Sequence, residues 1–170
     1  MSIEEHKKAA PNQVRCKVIT ISDTRTAETD KSGQLMKSLL NDNGFEVVEY
    51  EIVKDEEESI HLAISRGCES GKIDVILTNG GTGIAKRDVT IETVRKLLDK
   101  EIVGFGELFR MLSYTEDIGS AAILSRAIAG VINNIAIFST PGSTGAVKLA
   151  MTKLILPELG HVVREIKKDL

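Results

Sequence analysis

The parts of this 170-residue chain that could do chemistry are a glycine-rich loop, two further polar loops and a few aspartates. The most informative stretch is TNGGTGIAKRDVT, Thr78 to Thr90, which sets Gly80, Gly81 and Gly83 directly after a short apolar run. Glycines let backbone N–H groups approach a phosphate closely, while Lys86 and Arg87 can add charge and Asp88 can face a cation. Equally, the stretch reads as a glycine-rich turn with a solvated charge cluster, with Asp88 or Thr90 as a helix cap. It is not a Walker loop, which needs Gly-Lys-Ser/Thr after its spacer. Nor is it a dinucleotide fingerprint, whose third glycine is replaced here by Lys86.

A second loop, Ser139-Thr140-Pro141-Gly142-Ser143-Thr144, also ends an apolar run and opens a helical pattern. Its amides and hydroxyls can hold an anion or simply cap the helix. In the third, Ser22-Asp23-Thr24-Arg25-Thr26, Asp23 can be a cap or a ligand. Asp55 precedes Glu56-Glu57-Glu58, whose default meaning is an acidic helix start. What favours a site over independent turns is position: polar loops at neighbouring strand ends would surround one crevice, where open α/β sheets bind ligands.

The elements that must position these loops are legible from periodicity. Cys16 to Ile21 is β-branched and apolar, a first, central strand. Leu35, Met36, Leu39 and Leu40 recur at helical spacing up to Asn43-Gly44, and Phe45 to Val53 reads as a second strand. A helix around Ile60 to Arg66, a buried strand Ile73 to Leu77 and a helix marked by Val94, Leu97 and Leu98 follow. Strands alternating with helices imply a parallel, doubly wound α/β core. Further on, Phe105, Leu108, Phe109 and Leu112 mark an amphipathic helix, although Gly104 and Gly106 leave its start open. Ala127 to Ile132 and Ile135 to Phe138 flank Asn133-Asn134, a turn that tolerates left-handed backbone, so a hairpin should make the sheet mixed. Val147, Leu149, Ala150 and Leu154 begin a helix, and Pro157 should start or kink a last one. Residues 1–14 are polar and aperiodic and are expected to form a mobile arm, leaving 15–170 as one domain.

Composition narrows the function classes. For 18.5 kDa the size scaling gives about 70% of the unfolded surface buried, so neither disulfides nor a structural metal is needed. A net charge of -3 with 4% aromatic residues argues against a nucleic-acid binder, which would present a basic stripe and stacking platforms. Cys16 and Cys68 have no metal or redox spacing and are expected to be buried, reduced thiols. His6, His61 and His161 form no ligand pattern and are read as surface residues. No apolar run reaches the length of a membrane span, and the polar start is unlike a signal peptide, so the expected location is the cytoplasm, away from membranes.

Taken together, SDTRT at Ser22 to Thr26, TNGGTGIAKRDVT, GFGELFRMLSY at Gly104 to Tyr114, ILSRAIAGV at Ile123 to Val131 and STPGST resemble the MoaB/Mog family of molybdenum-cofactor biosynthesis proteins. The likeness runs from about Val14 to the carboxyl end, and the GELFRMLS and SRAIAGV blocks look more like the MoaB branch. The resemblance implies a three-layer α/β/α sandwich that binds molybdopterin, works beside other molybdenum-cofactor biosynthesis proteins and assembles as a homo-trimer or homo-hexamer. In active members it implies Mg²⁺-dependent transfer of AMP from ATP to the pterin's terminal phosphate, an adenylyltransferase reaction.

Residue by residue, the resemblance carries the catalytic, metal-holding aspartates onto Asp55 and Asp88. The nucleotide and phosphate loop falls on Gly80, Gly81, Thr82 and Gly83, the first-strand loop on Ser22 and Asp23, and the pterin-side loop on Pro141, Gly142 and Ser143. Asn79 stands where the family usually has Thr, keeping a hydrogen-bonding side chain. Since MoaB-branch members without the first aspartate are inactive, Asp55 favours a working enzyme. Two rivals are a non-catalytic pterin carrier or scaffold and, last in rank, a phospho-acceptor domain built on Asp23, which would leave both glycine-bearing loops without a purpose.

Overall fold

The computed structural model describes residues 2–8 and 13–170. Of the expected arm, Ile3–Lys8 forms a short helix, α1, while residues 1 and 9–12 lie outside the described residues. From Arg15 the chain builds a six-stranded sheet in the order β2-β1-β3-β6-β5-β4. Its strands are β1 (Arg15–Ile21), β2 (Glu46–Val53), β3 (Val75–Asn79), β4 (Lys100–Glu101), β5 (Ile128–Ile132) and β6 (Ile135–Thr140). β1, β2, β3 and β6 run parallel, and β5 turns back antiparallel to β6.

Alternation along the strands sorts side chains onto two buried faces. Cys16, Val18, Val75, Leu77, Ala136 and Phe138 face one way, and Ile19, Ile21, Ile76 and Ile137 the other. The first face is covered by α2 (Lys31–Asp42), α5 (Val103–Glu116), α6 (Thr144–Ala150) and α7 (Leu156–Lys167), through Met36, Leu40, Phe109, Val147 and Leu159. The second is covered by α3 (Glu57–Glu69) and α4 (Thr90–Leu97), through Ile60, Ile64, Ile91 and Val94. Both faces are buried because right-handed parallel crossovers place helices on each side. The three-layer, mixed-sheet expectation therefore holds. β1 is an interior strand, with the sheet's midline falling between β3 and β6.

The hairpin forms as its turn residues require: Asn133 and Asn134 take φ of 48° and 63°, and Ile132 pairs with Ile135. In α5, Phe105 and Phe109 point into the core, Phe105 meeting Phe138 edge-on at 5.3 Å, whereas Val103, Leu108, Met111 and Tyr114 stay exposed. Pro157 sits in the first turn of α7, after a wide π-helical turn at Met151–Ile155 that joins α6 to α7 without a break. Cys16 is buried and Cys68 partly so, both unpaired, with burial pushing their thiols up to about 12 and about 11. His61 is exposed, but His161 is half-buried and shares a hydrogen bond with Glu158 Oε2 at 3.0 Å, and the side chain of His6 lies outside the described residues.

No helix among the described residues is long and apolar enough to cross a membrane.

Candidate functional site

Because β1, β2, β3 and β6 are parallel, the loops after them emerge along one edge of the sheet, and all four meet there. They enclose an open cleft of about 390 Å³ lined by Ser22, Asp55, Gly80 to Gly83, Asp88, Pro141 and Gly142. Asp23 and Ser143, expected with them, are not in its lining. A larger hollow of about 480 Å³, between the β4–β5 edge and α7, holds none of the expected residues.

The glycine loop is shaped by close approach. Gly80 and Gly81 adopt φ of 100° and 67°, a region L side chains avoid. A Cβ on Gly80 would press closer than 3.0 Å on the Ile21 carbonyl oxygen, and one on Gly81 would lie 2.8 Å from Asp55 Oδ1. The loop is tied from both flanks, since Gly80 N–H donates to the Thr140 carbonyl at 3.0 Å and the Thr90 hydroxyl donates to the Gly80 carbonyl at 3.0 Å.

The capping alternatives separate cleanly. α4 has Val89 at its cap position with no side-chain cap bond, so neither Asp88 nor Thr90 serves as one. Asp88 instead folds back over Gly83, accepting the Ala85 N–H at 3.0 Å. α3 likewise starts at Glu56 without a side-chain cap, so Asp55 is not a helix cap either. Ser143 is one: its hydroxyl accepts the Ala146 N–H at 3.1 Å.

Asp23 ties the first loop to the others. It accepts the Asp55 N–H at 3.1 Å and a pair of bonds from Arg87, at 2.7 and 3.1 Å, and the Arg87 bonds hold its carboxyl below the usual range. Asp55 shifts the opposite way: partial burial, then the charges of Asp23 and Asp88, push its carboxyl above the ordinary value. Asp55 also borders a second groove of about 400 Å³ with Glu56, Glu57, Lys86 and Arg87, so it stands where two hollows adjoin. Lys86 belongs to that groove and not to the cleft.

Two arginines escaped the sequence reading as site residues. Arg126 clamps the glycine loop from outside, donating to the Thr82 carbonyl at 3.0 Å and the Gly83 carbonyl at 2.6 Å, and pairing with Glu92. It reaches them because β5 runs backwards, which brings Leu124, Ser125 and Arg126 to the same sheet edge as the parallel strands' carboxyl ends. The available signal was an arginine inside the apolar ILSRAIAGV, where a charge needs buried partners. Arg25 lines the cleft and donates to the Gly142 carbonyl at 2.8 Å and to Asn79 Oδ1 at 3.4 Å. Asn79, the departure from Thr, uses both ends of its amide, since its Nδ2 donates to the Thr20 hydroxyl at 3.0 Å.

Comparison with known proteins gives the family. Residues 17–161 match the family described as "Probable molybdopterin binding domain". The chain is 66% identical to molybdenum cofactor biosynthesis protein B of Bacillus subtilis (strain 168), covering 99% of each, and 56% identical to that of Staphylococcus aureus (strain COL), covering 96% of this chain and 99% of the other. A crystal structure of molybdenum cofactor biosynthesis protein B superposes with a TM-score of 0.91 at 66% identity, covering 94% of this chain and 99% of that one. The tungsten cofactor synthesizing protein MoaB from Pyrococcus furiosus gives 0.84 at 39% identity, covering 93% and 99%. By domain, full-length identity and fold, this chain belongs to the MoaB/Mog family of molybdenum cofactor biosynthesis proteins.

Proposed function

We propose that the cleft binds molybdopterin and ATP and transfers AMP to the pterin's terminal phosphate, releasing pyrophosphate. The observation that carries this is the pair Asp55 and Asp88: neither caps a helix, both line a cleft floored by the glycine loop, and partial burial, then the charges of Asp23 and Asp88, raise the Asp55 carboxyl. Two carboxylates with no capping role, lining one cleft, are set up for a cation to share.

The donor set fits magnesium. It is all oxygen, from two carboxylates on one cleft, which suits an ion held by one or two carboxylates plus substrate phosphates. Bound Mg²⁺ supplies charge screening between the two anions and polarises the α-phosphoryl group. The rest falls to the protein. A terminal phosphate oxygen forms the new bond to the α-phosphorus as the bond to the β-phosphate oxygen breaks, and the electron pair leaves on pyrophosphate. No general base is required, because a phosphate monoester is already ionised near neutral pH. The amides of Gly81 to Gly83 approach the phosphates closely, and the clamp by Arg126 and Thr90 fixes the loop before reaction. Asp55, bordering both hollows, stands where two substrates would meet.

Assembly as a homo-trimer or homo-hexamer belongs to the same proposal, supported by the exposed apolar side chains Leu108, Met111, Tyr114, Ile118 and Ile123. So does a place in the cytoplasm beside other molybdenum-cofactor biosynthesis proteins. The test is incubation of the full chain with Mg²⁺, molybdopterin and α-labelled ATP. Label on the pterin with equimolar pyrophosphate is expected, while pterin binding without transfer at saturating substrates would leave the carrier reading in its place.

A further inference from the structure

We propose that Arg25 is the cleft's receptor for a phosphate monoester, the terminal phosphate of the pterin, and that buried Asp30 is the residue that positions it. The inference rests on the reading that this cleft takes a phosphorylated pterin.

Among the described residues lining the cleft, Arg25 is the one cation. Its guanidinium is held in place and not left to wander: it bonds the Gly142 carbonyl and Asn79 Oδ1, and Nη1 lies 3.6 Å from Asp30 Oδ1. A guanidinium has more N–H donors than these bonds use, and its planar fork matches a phosphate's oxygens. The support behind it is buried. Asp30 is 1% exposed, caps α2 by accepting the Gly33 N–H at 2.9 Å, and accepts the Tyr50 hydroxyl at 2.5 Å. Lys37 sits 4.4 Å over the Tyr50 ring. Gly33 leaves room for this carboxylate, which a Cβ there would overlap. A helix cap alone needs no tyrosine and no arginine, so the network does more than end a helix.

Sheet order tells which substrate the receptor serves. Asp55 follows β2, at the sheet edge, while Arg25 leaves β1 and reaches past the end of β3, at Asn79, to the loop after β6, at Gly142. Asp55 thus stands on the β2 side, and the Arg25 guanidinium reaches the β3–β6 side. A metal-bound triphosphate suits the first and a bare monoester the second. Lysine at position 25 would keep the charge but could not span Asn79, Gly142 and a phosphate at once.

The experiment uses wild type, Arg25→Gln, Arg25→Lys and Asp30→Asn in the full chain. Binding of molybdopterin, of its dephosphorylated form and of ATP is measured by calorimetry. Inorganic phosphate is titrated while the Arg25 Nε–H resonance is followed by NMR. Wild type should prefer the phosphorylated pterin, and Arg25→Gln should erase roughly tenfold or more of that preference with ATP affinity nearly unchanged. Arg25→Lys should lose most of it too. Asp30→Asn retains an acceptor for the Gly33 N–H, so it should lower the preference and shift the Arg25 resonance while the fold persists. A full phosphate preference in Arg25→Gln, or a fall in ATP affinity instead, overturns the assignment. So does an Arg25 resonance indifferent to phosphate. If phosphate moves that resonance yet no pterin binds, the functional reading fails and the anion receptor stands.

Discussion

Replacing Gly80 by alanine strikes the joint on which the site is built. The backbone there has φ of 100°, and a left-handed conformation costs an L residue about 1–2 kcal/mol. The added Cβ also meets the Ile21 carbonyl oxygen inside 3.0 Å, a backbone atom that cannot swing aside. Overpacking of this kind costs about 1–3 kcal/mol, so the sum is roughly 2–5 kcal/mol. For a domain of this size that lowers the melting temperature by roughly 5–20 °C. Gly104→Ala is the matched control: its Cβ would meet nothing within 4 Å, and within α5 it should gain up to about 1 kcal/mol. Urea denaturation followed by circular dichroism, at equal protein concentration, reads both. The loop that moves also carries Gly81, against Asp55, so the transfer rate per folded molecule should fall about a hundredfold, as for a misplacement of about 1 Å. A Gly80→Ala protein within about 0.5 kcal/mol of wild type, the ordinary range for an inert surface change, would refute the close-approach reasoning.

Asp23→Asn removes a charge that pushes Asp55 up and releases Arg87, so the acid limb of the transfer-rate profile should move to lower pH; a pH–rate series in both proteins checks this, and an unmoved limb counts against the charge coupling. Asp74 gives a stability effect of known sign. Burial acts to raise its carboxyl, but bonds from Arg15 and Lys167 outweigh it and hold it below its ordinary value, so its contribution is present above the unfolded-state pKa and is lost as pH falls through the folded one. Asp74→Asn should therefore flatten the loss of stability below about pH 4 seen in denaturation curves. Light scattering should report a multiple of three chains, and Met111→Glu on the exposed face of α5 should shift the population towards smaller species.

What could be read without coordinates followed from burial on two faces. β1, β3 and β6 carry apolar residues on both sides, so CKVITI and Val75 to Leu77 announce themselves, while the buried polar end of β3, Thr78 and Asn79, read as loop, and Asn133-Asn134 fixes the hairpin by its backbone preference. β4 is two residues long and the 3₁₀ turn Gly119–Leu124 six, too short for any period to register. The glycine loop and its aspartates were visible because local order places them after strands. Their roles were not, since whether Asp88 caps α4 depends on how it folds back over Gly83. Arg25 and Arg126 bond carbonyls 117 and 43 residues away, contacts set by strand order and by the reversal of β5, with no trace in local pattern. Asp23 was legible as polar but not as a tie between Asp55 and Arg87, for the same reason.

Most direct is a single-turnover measurement of label transfer from α-labelled ATP to molybdopterin in wild type, Asp55→Asn and Asp88→Asn, with pterin affinity and melting curves taken alongside. If each carboxylate contributes several kcal/mol of charge stabilisation through Mg²⁺, each substitution slows transfer by roughly a hundredfold or more while pterin affinity changes less than about tenfold. Because neither aspartate caps a helix, stability should change little in either variant. Near-normal transfer by both folded variants would contradict the assignment of these aspartates to the reaction.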